Sequence, residues 1–98
     1  MNPLPTPENI IKAGTFLYDE TVLCDVCIVL SAVRFGTGDY EDPPEVADDV
    51  EMDTYYVWFG STIARGHYNA GGGGWSSLAE AVANVESRPS FGKSVVWF

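Results

Sequence analysis

The sequence predicts an α+β domain, a mostly antiparallel sheet of four to five strands with one helix packed on one face. Three observations carry that expectation. The run "VLCDVCIVLSAVRF", Val22 to Phe35, alternates apolar residues with period two, as a long strand does. The segment from Ser77 to Val85 combines a capping signal with an apolar stripe at helical spacing. The remaining apolar stretches, "TFLYD", "TYYVWF" and "SVVWF", are short, aromatic and β-branched, as strands are.

Taken in order, "MNPLPTPE" holds three prolines, each without a backbone donor and with its own φ fixed, so residues 1–9 read as a flexible, extended arm. A single domain then spans 10–98. "TFLYD" is a short strand and "DET" a turn. In the long strand Val22, Cys24, Val26, Ile28, Leu30 and Ala32 share a dry face, while Leu23, Asp25, Cys27, Val29, Ser31 and Val33 form a partly covered one. Gly36, Gly38, Pro43 and Pro44 break every pattern, so 36–53 is expected to be a long acidic loop. "TYYVWF" follows as a strand, Gly60 and Ser61 as a turn, and "TIARGHYNA" as a weaker strand.

Ser77 and Glu80 have the spacing of a capping box, and Trp75, Leu78, Val82 and Val85 lie on one helical stripe. Pro89 disfavours helical geometry at Arg88, which sets the helix end near Ser87. "SVVWF" closes the chain as a strand. If it neighbours the strand before the helix, the two run parallel through a right-handed crossover. An open edge there would also permit a homodimer.

The chain has 98 residues, 46% of them hydrophobic, which suits one core. No run of 18 apolar residues occurs, and the first residues lack the basic flank and apolar centre of a secretory signal. The expectation is a soluble cytoplasmic protein without membrane partners. Cys24 and Cys27 sit three apart in a strand, on opposite faces, where a disulfide would be strained. One histidine and two cysteines are too few for a Cys/His zinc set, so the thiols read as buried and reduced, with no cofactor.

The formal net charge is −9, and it is local. Asp39, Glu41, Asp42, Glu45, Asp48, Asp49, Glu51 and Asp53 make up eight of the fourteen carboxylates, with no lysine or arginine among them. Direct nucleic-acid binding is not expected, because phosphate contacts need a basic patch. A basic protein surface is the natural partner for these residues and Tyr40, a nuclease or RNA-guided effector being examples. That composition fits a small non-catalytic inhibitor, such as an antitoxin, an immunity protein, or a phage anti-defence protein of anti-CRISPR-like, nucleic-acid-mimicking type. An EF-hand frame from Asp39 puts Pro44 at the turn glycine and Val50 at the bidentate glutamate, so the frame fails and no metal site is expected.

The competing reading rests on "RGHYNAGGGGWSS". Backbone N–H groups at a helix start attract anions, and Arg65, His67 and Asn69 ahead of Gly71–Gly74 would add charge and hydrogen bonds. That site, including Gly73 and Gly74, would make the chain an anion- or phosphate-binding or catalytic domain. Against it, the stretch lacks the G-K-[ST] ending of a P-loop and the G-x-G-x-x-G spacing. A flexible corner between strand and helix is the simpler account of the glycines.

Overall fold

The computed structural model describes residues 4–36, 41, 43 and 48–98. Five strands form one sheet: β1 (Ile10–Tyr18), β2 (Val22–Arg34), β3 (Val50–Gly60), β4 (Tyr68–Trp75) and β5 (Val96–Trp97). One helix, α1 (Leu78–Glu86), lies between β4 and β5 in the chain, and a short 3₁₀ turn, Gly92–Ser94, leads into β5. The spatial order is β4-β3-β2-β1-β5, and every neighbouring pair is antiparallel. The α+β class and the helix-on-sheet arrangement are those the sequence predicts.

Alternation in β2 sorts its side chains between two clusters. Cys24, Val26 and Ile28 join Phe16, Val57, Ala81 and Val85 in the core beneath α1. Cys27 and Val29 join Tyr56 on the opposite face, under Ile10, Ala13, Phe35, Trp58 and Tyr68. Around the middle of β2 both faces of the sheet are therefore dry. Each fully buried Val or Ile stabilises the fold by about 1.5–3 kcal/mol relative to exposure. The two thiols are free and point into different clusters, as the strand period requires.

Helix α1 begins where its capping residues dictate. Ser77 has extended backbone, and its Oγ accepts the Glu80 N–H at 3.1 Å. Glu80 returns the contact one residue earlier than a standard box, accepting from Ser76 N–H at 3.2 Å and Ser76 Oγ–H at 2.6 Å. These bonds hold its carboxyl below the ordinary range. The C-cap is Ser87, two residues before Pro89. Ala81 and Val85 are the fully buried contacts of the helix.

Several details differ from the sequence expectations. Within the expected arm, whose residues 1–3 lie outside the described residues, Asn9 Oδ1 accepts the Thr6 N–H at 2.7 Å, and the Asn9 carbonyl accepts the Leu30 N–H at 2.9 Å. β1 extends back to Ile10, because Ile10 and Ala13 have a second core to cover. β3 begins at Val50, so Glu51 and Asp53 stand on a strand and not in the acidic loop. The reason is pairing with β2, Arg34 opposite Val50 and Val33 opposite Glu51. β5 does not neighbour β4; it pairs antiparallel with β1 at the far edge and covers only two residues. Among the described residues, no helix is long and apolar enough to cross a membrane.

Candidate functional site

Two regions hold the residues singled out in the sequence, and they lie at different places on the sheet. The first is the outer end of the β2–β3 hairpin. Glu41, Asp48, Asp49, Glu51 and Asp53 are all exposed. Asp39, Tyr40, Asp42 and Glu45 lie outside the described residues. Asp49 Oδ1 accepts the Gly36 N–H at 2.8 Å, which ties the start of β3 to the end of β2. Ser31 pairs with Thr54 and Val33 with Glu51, so Met52 and Asp53 together oppose the single residue Ala32. That is a β-bulge, which bends its strand and increases its twist. Val50 and Met52, 41% and 40% exposed, interleave with the carboxylates.

Arg34 anchors this hairpin end to the neighbouring strand. Its Nη2 donates to the Gly74 carbonyl at 2.8 Å, while its Nε is buried without a hydrogen-bond partner among the described residues. The sequence shows Arg34 only as the last charge of an apolar run, and nothing in the pattern reveals a tie to a strand forty residues later. On the opposite face Tyr56 Oη accepts the Phe35 N–H at 3.0 Å, so the chain leaving β2 is held on both sides.

The second region is the segment 61–75. Ser61–His67 is a loop and not the strand that "TIARGHYNA" suggests. Ser61 Oγ accepts from the N–H groups of Ile63 and Ala64, at 3.0 and 3.2 Å, which curls the chain away from the sheet. Arg65 is engaged: its Nη2 donates to Asp25 Oδ1 at 2.7 Å and its Nε to Asp25 Oδ2 at 3.1 Å, with the Gly66 N–H adding a third bond at 3.0 Å. Asp25 is the residue whose role the sequence conceals. A lone carboxylate inside "LCDVC" demands a partner, but the pattern does not say which of five basic residues supplies it.

The glycines are the larger departure. Gly71–Gly74 are not a corner between strand and helix but the middle of β4, paired with β3 from Trp58 opposite Gly71 to Tyr56 opposite Gly73. A Cβ on Gly71 would lie 3.1 Å from the Trp58 ring, so the missing side chain lets the indole lie against the strand. Gly74 is the extra residue between the pairs Tyr56–Gly73 and Tyr55–Trp75, and its φ of +95° is a conformation that other residues rarely adopt. The residues of the suggested anion site are thus spread out. His67 is exposed in the loop, Asn69 is exposed near the start of β4, and Gly73 and Gly74 serve a bulge near its end.

Buried polar groups on the second core face are chemically quiet. Burial pushes the Cys27 thiol up to about 11, against a hydrogen bond with Tyr68 that lowers it. Burial likewise pushes Tyr68 up to about 12. A neutral thiol beside a neutral phenol is a packing arrangement, not an activated nucleophile.

The Asp25–Arg65 pair gives a pH prediction. The Arg65 guanidinium holds the Asp25 carboxyl below its ordinary value. A carboxylate depressed in the folded state adds stability above its unfolded pKa of ~3.9, and that stability is lost as pH falls through the lower folded value. Asp25→Asn should therefore lower stability by a constant amount at neutral pH, with the gap to the wild type closing below about pH 4. Arg65 is 55% exposed, so solvent screening keeps the effect small. Urea titrations of both proteins from about pH 2.5 to about pH 7 check this, and a gap that widens on acidification would contradict it.

Comparison with protein-family models, with curated proteins and with solved structures gave no match.

Proposed function

We propose that this chain is a small non-catalytic binding protein that sets the acidic end of its β2–β3 hairpin on a basic surface of another protein and blocks it. The supporting observation is the hairpin end itself, where exposed Asp48, Asp49, Glu51 and Asp53 alternate with the half-exposed apolar residues Val50 and Met52. Clustered like charge steers a partner of opposite charge from a distance. Interleaved apolar groups supply short-range contact once it arrives, since charge alone gives encounter rate more than affinity. The biological roles that suit this are an antitoxin or immunity protein, or a phage anti-defence protein that occupies a nucleic-acid groove by imitating a polyanion. A basic nuclease or an RNA-guided effector is the class of target.

The test is calorimetric titration of such a target with the wild-type chain and with the combined variant Asp48→Asn, Asp49→Asn, Glu51→Gln and Asp53→Asn, at low and high salt. The variant is expected to bind about a hundredfold more weakly, equivalent to ~2.8 kcal/mol, with most of the salt dependence gone. Unchanged affinity, or binding indifferent to salt, overturns the proposal. Circular dichroism of the variant separates a lost contact from a lost fold.

A further inference from the structure

At the opposite end of β3 from the acidic residues, a cleft of about 260 Å³ opens on the helix side of the sheet. It is walled by Phe16 of β1, Phe59 and Gly60 of β3, Asn69 of β4, and Arg88 and Phe91 beyond α1. The three phenyl rings form one aromatic base. Phe16 and Phe91 have centroids 4.4 Å apart, Phe59 meets Phe91 edge-on at 5.6 Å, and Phe59 meets Phe16 edge-on at 5.9 Å. Phe16 is 4% exposed, so the base is fixed by the main core beneath it.

Arg88 is the one charged residue among the described residues lining the cleft. Its guanidinium carbon stands 5.2 Å from the Phe59 ring centroid, and its Nη2 donates to Asn84 Oδ1 at 3.3 Å. Both contacts are neutral, which leaves the cation uncompensated by them in a chain of net charge −9. Guanidinium groups recognise carboxylates through paired N–H donors and keep that ability while stacked on an aromatic face. Ligand pockets for drug-sized molecules span about 300–1,000 Å³, so this volume suits a single ring and not a nucleotide.

We propose that the cleft binds a small aromatic carboxylate, its ring on the Phe16, Phe59 and Phe91 base and its anionic group on Arg88. Asn69 adds a neutral amide at the other wall. The site is separate from the acidic hairpin end, since Val50 and Gly60 lie ten residues apart on β3, roughly 30 Å at strand spacing. The two readings therefore succeed or fail independently.

The experiment is titration of the ¹⁵N-labelled full chain with phenylacetate, followed by amide NMR. Saturable shifts are expected at Gly60, Asn69 and Phe91. Acetate, which lacks the ring, and 2-phenylethanol, which lacks the charge, should each bind at least about tenfold more weakly. Arg88→Gln should lower phenylacetate affinity about tenfold and leave 2-phenylethanol unaffected. Absence of saturable shifts at these amides in the wild type, equal affinity for 2-phenylethanol, or an Arg88→Gln variant that binds phenylacetate as well as the wild type would each overturn the proposal. The ligand series in the wild-type chain decides the matter even if the variant folds poorly.

Discussion

Ile28→Ala is expected to destabilise the fold by about 3–4 kcal/mol, within the range of 2–5 for isoleucine truncation in a tight core. Ile28 is 0% exposed and belongs to the cluster with Val57, Ala81 and Val85, so the void would open directly under the helix. β2 is flanked by β1 and β3, with Lys12 and Val57 opposite Ile28, and cannot shift to fill it. Domains of this size commonly have only 5–15 kcal/mol in total, so a melting point lower by roughly 15 °C or more should follow. Urea unfolding with an unchanged slope checks it. Leu23→Ala, at a residue 45% exposed on β2, is the control and should cost under about 1 kcal/mol. A loss under 1 kcal/mol at Ile28 would contradict the packing described (about the threshold for a surface site).

Gly14→Ala should cost about 2–3 kcal/mol by the opposite mechanism, the insertion of an atom where there is no room. A Cβ on Gly14 would sit 2.3 Å from the Val96 carbonyl oxygen and 3.1 Å from Trp97 Cα, both backbone atoms. The far end of a flexible side chain could move aside; the backbone of β5 must leave its register. Gly14 pairs with Trp97, and the Phe98 N–H donates to the Ala13 carbonyl at 2.9 Å, so these contacts would go together. Hydrogen exchange gives the specific signature: the Phe98 amide should lose protection while amides in β2 and β3 keep most of theirs. Retained protection at Phe98 would count against the prediction.

What could be read from the residues, and what could not, follows the range of the interactions involved. Ser77, Glu80 and Pro89 act within one or two turns of chain, so the helix bounds were legible. The period of β2 separated Cys24 from Cys27 correctly, because the alternation of a strand is local geometry. The glycine run misled, because a stretch without side chains normally implies freedom. Here the Trp58 ring against Gly71 and the bulge at Gly74 use the absent side chains inside a paired strand. Trp58 is thirteen positions before Gly71, and no local pattern records that approach. Arg65 looked available for an anion for the same reason, since its partner Asp25 lies forty residues away. The aromatic cleft draws Phe16, Phe59, Asn69 and Arg88 from four separated parts of the chain, so it had no linear signature at all.

The position of β5 has a consequence for how the chain assembles. β1 leaves the ribosome some eighty residues before Val96 and Trp97, the residues of β5 that pair with its outer edge. Throughout translation that edge is a row of unsatisfied amide and carbonyl groups, the kind of template on which nascent chains associate wrongly. Lys12, whose ammonium lies 5.4 Å from the Trp97 ring centroid in the finished protein, stands on that same strand. The indole of Trp97 therefore reaches that side chain only once β5 has docked.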